Sequence, residues 1–181
     1  MPVDGVPPED EALLGPPGDP ESVARTICLR LLDRRARTRS ELATALRKRG
    51  VPEDAAVAVL DRFSDVGLID DAALAETFAA AQHRERGLAG RAVAAKLRQR
   101  GVAEPDVRAA IDQIDRDSEY AAAQALVVKK LRSLGGLDPQ VQARRLVGLL
   151  GRRGYAPGLA HEVVRAALTE ADLPEAGGAD F

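Results

Sequence analysis

The side chains able to do covalent chemistry in this 181-residue chain are few and far apart. His83 and His161 stand alone in separate helical stretches, and a lone helical histidine reads as structural or exposed. Cys28 is the only cysteine and lies on the apolar side of its segment, so it reads as packing rather than as a nucleophile. Glu41 reads as a helix cap and Asp70-Asp71 as a helix start, so no pair of carboxylates is set for acid–base work. No Gly-x-x-x-x-Gly-Lys-Ser/Thr loop is present to cradle a phosphate. One cysteine and two histidines cannot supply a structural zinc set. The sequence therefore predicts no catalytic residue, no metal site and no cofactor site.

The chemistry that the sequence does offer is cationic binding. Three segments align without gaps around a glycine: Leu46-Arg47-Lys48-Arg49-Gly50-Val51, Leu97-Arg98-Gln99-Arg100-Gly101-Val102 and Leu150-Gly151-Arg152-Arg153-Gly154-Tyr155. A proline follows each within four residues, at Pro52, Pro105 and Pro157. The local reason is helix termination. Glycine adopts the left-handed conformation that closes a helix, and cations in the last turn oppose its negative end. One copy would be a cap and nothing more. Three copies at one structural position place Arg47, Lys48, Arg49, Arg98, Arg100, Arg152 and Arg153 on a repeated edge. Arg34, Arg35, Arg37 and Arg39 form a second dense patch. Lys129-Lys130 with Arg132 reads equally well as a solvated face.

Charge supports the same reading. Residues 1–20 hold five acids and no base, and residues 169–181 hold four acids and no base. The body between them carries all 26 Lys and Arg against 19 acids, a surplus of +7 concealed by a whole-chain charge of −2. Such a body favours polyanions or acidic protein surfaces. Of its bases 22 are Arg, the residue suited to bidentate contact with phosphate or carboxylate.

The elements that must position these residues are helices. Aromatics are only 3% and Trp is absent, so the apolar content is mainly Ala, Leu and Val, which suits thin helical modules. Asp19-Pro20-Glu21 predicts a helix start with Asp19 as cap, followed by a stripe of Val23, Ile27 and Leu31 with Ala24 and Cys28. Thr38-Arg39-Ser40-Glu41 predicts a capping box. Asp70 or Asp71, a start near Asp117, and Asp138-Pro139 mark later helices. The repeat glycines are 51 and 53 residues apart, so each unit holds three helices, marginal alone and stabilised by tandem packing. The expected fold is all-α: three tandem three-helix bundles over 20–69, 70–116 and 117–170, forming an elongated molecule. Armadillo-type helical repeats are the fold alternative. Residues 1–19, rich in Pro and Gly, and 171–181 are expected to be disordered acidic flanks. No secretory leader or membrane span is expected, and a cytoplasmic, monomeric protein is the simplest expectation.

Leu32-Asp33-Arg34-Arg35-Ala36-Arg37-Thr38-Arg39-Ser40-Glu41-Leu42 resembles the RecX pattern of an Arg-rich turn followed by Ser-x-x-Glu-Leu. Val66-Gly67-Leu68-Ile69-Asp70-Asp71 with Phe78 downstream, Leu97 to Val102, and Arg152-Arg153-Gly154-Tyr155 also resemble that family, in family order, across about Pro20 to Leu168. Tyr155 stands where Phe is common, and the acidic leader is not part of the family core. The resemblance implies a curved molecule that binds the groove of a RecA recombinase filament and inhibits its ATPase and strand-exchange activities. It further implies contact with single- and double-stranded DNA. Arg34, Arg35, Arg37, Arg39, Arg98, Arg100, Arg152 and Arg153 would be contacts. The rival reading is a helical repeat protein that binds DNA nonspecifically and in a salt-sensitive way. A scaffold for an unrelated protein partner is a third.

Overall fold

A computed structural model describes residues 18–172; the expected disordered flanks lie almost wholly outside the described residues. Among the described residues the chain forms nine helices and no strand. They are α1 (Pro20–Arg34), α2 (Arg39–Lys48), α3 (Glu53–Asp65), α4 (Asp71–Arg86), α5 (Gly90–Gln99), α6 (Glu104–Asp112), α7 (Arg116–Leu131), α8 (Pro139–Arg152) and α9 (Pro157–Asp172). α9 thus runs to Asp172, past the expected boundary at 171.

The helix ends follow the local chemistry with informative exceptions. Thr38 forms the full capping box: its hydroxyl accepts from the Glu41 amide while the Glu41 carboxylate accepts from the Thr38 amide. Asp138 accepts from the Gln140 and Val141 amides, and Asp70 from the Ala73 amide. Asp71 instead accepts from the Arg39 amide at the start of α2. Asp19 occupies the cap position of α1, but its carboxylate accepts from the Ser22 hydroxyl rather than from a backbone amide. The third round opens at Asp115, which accepts from the Ser118 amide, two residues before the expected start. At α5 the cap position is Ala89, which has no side chain to offer. Glu119, on α7, fills the gap by accepting from the Gly90 amide at 2.7 Å.

The helices gather into two compact units. The first holds α1, α2, α3, the first turn of α4 and the short turn Arg100–Val102; the second holds the rest. In the first unit α1, α2 and α3 pack on one another around Ala24, Cys28, Leu42, Leu46, Val59, Leu60 and Phe63. Within the expected α1 stripe the small members are the most buried. Ala24 and Cys28 are fully buried, while Val23, Ile27 and Leu31 are only partly so. Small side chains on that line let α1 approach its neighbours closely. In the second unit α7, α8 and α9 enclose Val127, Leu146, Leu150, Tyr155 and Val163, and α5 packs on α6, with Val93, Leu97 and Val107 buried. Burying each such aliphatic side chain contributes about 1.5–3 kcal/mol.

Candidate functional site

The Arg-rich turn before α2 is built around one carboxylate. Glu41, two turns from Arg34 along the chain, accepts two hydrogen bonds from Arg100, from Nε and Nη2, both at 3.0 Å. Arg35 approaches the same carboxylate at 3.6 Å. Burial alone would raise the Glu41 carboxyl. The hydrogen bonds from Arg100 and the Thr38 backbone, with the charges of Arg100 and Arg35, outweigh it and hold the group below its ordinary value. The Thr38 hydroxyl donates to the Arg100 carbonyl at 2.7 Å, so side chain and backbone of Arg100 are both held in the first unit. Arg39 donates to Asp61 at 2.6 Å and to Ser64 at 3.3 Å. Arg37 donates through Nε to the Leu31 carbonyl. Arg34 is exposed and makes no ion pair among the described residues.

The three Arg-Gly turns share a backbone but differ in what their cations do. Gly50, Gly101 and Gly154 all have positive φ, at 73°, 78° and 91°. At Gly50 and Gly154 the amide of the next residue reaches back five positions, Val51 to Leu46 and Tyr155 to Leu150, closing the helix end. Arg47, Lys48 and Arg49 are exposed and free of ion pairs among the described residues. Arg98 by contrast is clamped to Glu104 by two 2.8 Å hydrogen bonds, which hold the Glu104 carboxyl down to about 2 against its partial desolvation. Arg100 is turned onto Glu41, as above. Of the ten arginines and one lysine predicted as contacts, the structure gives Arg39, Arg98 and Arg100 carboxylates within hydrogen-bond distance and Arg35 a more distant one.

Arg152 reaches a different setting. It lines a groove of about 360 Å³ in the second unit with Lys130, Leu134, Arg144, Arg145, Gly148 and Leu149. Four cations and no carboxylate line it, and none of the four makes an ion pair among the described residues. Arg144, Gly148 and Arg152 follow at four-residue spacing on α8, and a Cβ at Gly148 would lie 3.3 Å from the Arg152 guanidinium, so the glycine leaves room for that side chain. Arg144 and Arg145 were not singled out from sequence, although the spacing that aligns them with Arg152 is visible there. Arg153 lies at the end of α8, and its carbonyl accepts from the Ala89 amide at 3.0 Å.

Of the remaining reactive side chains, His83 and Cys28 are buried and His161 is exposed on α9. His83 is buried, with Nδ1 bonded to the Leu88 carbonyl at 2.9 Å. Burial raises the Cys28 thiol to about 11, far from a reactive thiolate. Among the described residues no group of three or more His, Cys, Asp or Glu is placed to hold a metal. No described helix is long and apolar enough to cross a membrane. The arrangement offers unpaired cations on helix ends and in grooves, suited to contact with phosphate or carboxylate.

Comparison with known proteins gives these features a context. Family models match in order along the chain: RecX, first three-helix domain, over residues 24–63; second three-helix domain, over 70–111; and third three-helix domain, over 117–164. The chain is 49% identical over 170 residues to the regulatory protein RecX of Thermobifida fusca, covering 88% of this chain and 92% of that one. It is 50% identical over 155 residues to the regulatory protein RecX of Streptomyces coelicolor, covering 86% and 82%. The crystal structure of RecX from Lactobacillus salivarius superposes with a TM-score of 0.74 at 18% identity, covering 85% of this chain and 97% of that chain, which speaks for the fold.

Proposed function

The chain belongs to the RecX family of regulatory proteins, and we propose that it is a negative regulator of the RecA recombinase that binds the RecA–DNA filament and inhibits its ATPase and strand-exchange activities. The observation that carries this reading is the ordered run of three family domains in a chain half identical to regulatory proteins of that name over most of its length. We take its role to be non-catalytic, its location the cytoplasm and its free state a monomer. Its working division is into three repeats, 20–69, 70–116 and 117–170.

The physical logic is multivalency. Several modest cationic contacts on one chain, made to successive filament subunits, add up to an avidity that none has alone. Arg34, Arg47, Lys48, Arg49, Arg152 and Arg153 are the contacts whose charges have no internal ion pair and can be offered outward. Arg35 and Arg37 join them with weaker internal ties. Arg39, Arg98 and Arg100 act on the partner chiefly by fixing the turns that carry the others. The test is co-sedimentation with preformed recombinase filaments, paired with a strand-exchange assay. Joint binding and inhibition support the reading; free protein left in the supernatant at micromolar concentration with unimpaired exchange refutes it.

A second reading, nonspecific and salt-sensitive binding to DNA itself, is favoured by one observation: the Lys130, Arg144, Arg145 and Arg152 groove contains no carboxylate. Binding to naked DNA that collapses as salt rises would support it.

A further inference from the structure

Between α8 and α9 the second unit leaves a groove of about 490 Å³. Its floor is apolar, with Ala143 and Val147 from α8 and Val164 and Leu168 from α9, and all but Val164 are only partly buried. Arg144 and Arg165, both exposed, stand at its rim. No carboxylate lines the groove, and neither arginine makes an ion pair among the described residues. The lining positions on α9 are His161, Val164, Arg165 and Leu168, which share one helical face, so the groove follows that helix for about 10 Å.

The sequence that follows is the complement of this surface. Past Arg165 the chain carries Glu170, Asp172, Glu175 and Asp180 and no base, interleaved with Leu173, Ala176, Ala179 and Phe181. α9 ends at Asp172, about one turn beyond Leu168, and residues 173–181 lie outside the described residues. Leu173 precedes Pro174, whose ring disfavours the helical conformation of the residue before it, so the chain is directed off the axis of α9 at that point. Nine residues reach about 30 Å when extended, whereas His161 lies only about 16 Å back from Asp172 along the helix. The segment is long enough to return along the whole groove.

We infer that the groove between α8 and α9 is the docking site of the chain's own residues 173–181. Leu173 and Phe181 supply apolar groups for the floor, and Glu175 and Asp180 supply carboxylates for Arg144 and Arg165. Attachment within about one turn of the groove holds the segment at an effective concentration in the millimolar range, so contacts too weak to retain a separate peptide suffice. Docked there, the segment screens Arg144, which also lines the groove of Lys130, Arg145 and Arg152, and so restrains the entry of anions at that second groove. None of this depends on regulation of a recombinase, and either can fail without the other.

The chain has no Trp, so Phe181→Trp in the full chain is a single fluorescent reporter of the segment. Its emission should lie to the blue of free N-acetyltryptophanamide and resist quenching by acrylamide. Arg144→Glu with Arg165→Glu, at exposed positions, should raise the quenching constant at least about threefold and move the emission to the red. Arg144→Gln with Arg165→Gln provides a milder pair should the reversal perturb folding, with a smaller change in the same direction. Glu175→Lys with Asp180→Lys should release the reporter as well, and the two reversed pairs combined should restore the blue, protected emission. Arg25→Glu with Arg30→Glu, an equal charge change on exposed positions of α1, should leave it unchanged. Emission that matches the free indole from the outset overturns the docking. Blue emission that survives both reversed pairs, or that the combined pairs do not restore, places the segment elsewhere and overturns the site. Blue emission lost on dilution together with a halving of the mass in solution would assign the groove to a second copy of the chain and overturn docking within one chain.

Discussion

The Thr38 hydroxyl donates a 2.7 Å hydrogen bond to the carbonyl of Arg100, 62 residues along the chain, while accepting from the Glu41 amide in its own helix. The Ala89 amide does the same for the carbonyl of Arg153 at 3.0 Å. Thr38 and Ala89 each lie twelve positions before a repeat glycine, at Gly50 and Gly101. The Arg-Gly turn is therefore more than a helix stop: its last carbonyl is received at the start of the corresponding helix one repeat earlier. The third member, at Gly50, belongs to the first of the three matched domains.

This difference separates glycines that look alike in sequence. A Cβ on Gly154 would lie 2.6 Å from the Ala92 Cβ and 3.0 Å from its amide nitrogen, and a Cβ on Gly101 would fall on Ser40. A Cβ on Gly50 meets nothing within 4 Å. Gly50→Ala should cost only the left-handed backbone, about 1–2 kcal/mol. Gly154→Ala adds a steric clash against backbone and should cost roughly 2–4 kcal/mol. Urea unfolding of both variants checks this; equal losses would show that φ alone selects the glycine.

Glu41 and Arg100 form a bidentate pair in which both side chains are about one-fifth exposed. A double-mutant cycle with Glu41→Gln and Arg100→Met should give a coupling of about 1 kcal/mol at neutral pH. Because the folded Glu41 carboxyl sits below its unfolded value of 4.5, its contribution is whole above that pH and fades as pH falls through the folded value. The thermal stability gap between the native chain and Glu41→Gln should therefore shrink below pH 4.5. A gap that widens on acidification would mean that the folded Glu41 carboxyl lies above its unfolded value.

Tyr155, 1% exposed, donates its hydroxyl to the Gly87 carbonyl. Tyr155→Phe keeps the ring and should cost about 1 kcal/mol through the carbonyl left behind. Burial, aided by Glu119 and opposed by Arg153, raises the phenol to about 12. The neutral form is thus favoured in the folded state, and stability linked to it is intact below pH 10 and lost as pH rises toward 12. Chemical denaturation between pH 8 and 11 should show the native chain losing stability faster than Tyr155→Phe.

Cys28 is fully buried, and its thiol is raised to about 11. Its labelling by a thiol reagent at pH 8 should track global unfolding, with a rate that rises steeply near the denaturant midpoint. Rapid labelling in native buffer would place an opening motion at α1.

Much of this architecture is legible in the residues, and the limits have physical causes. Thr38 with Glu41, Asp138 with Pro139, and the three Arg-Gly turns are local signals, set by backbone groups within one helical turn, so spacing alone finds them. Asp19 takes the expected cap position, but its carboxylate accepts from the Ser22 hydroxyl and from no backbone amide, a choice of partner that spacing does not show. Spacing gives the α1 stripe but not that Ala24 and Cys28, rather than Val23, Ile27 and Leu31, take its most buried line. The cations are harder. Nothing near Arg100 in sequence announces Glu41, and Arg98 is neutralised by a glutamate across the next turn. Lys130 on α7 joins Arg144, Arg145 and Arg152 on α8 only through the packing of the two helices, which the spacing within α8 does not show.

The central claim is regulation of a recombinase, and the most direct measurement is the single-stranded-DNA-dependent ATPase rate of the cognate RecA, titrated with this protein at moderate salt. A recombinase regulator should lower the rate progressively, with Arg152→Glu and Arg153→Glu together shifting the midpoint to at least about tenfold higher concentration. An ATPase rate unchanged by an excess of the folded, helical protein would contradict it.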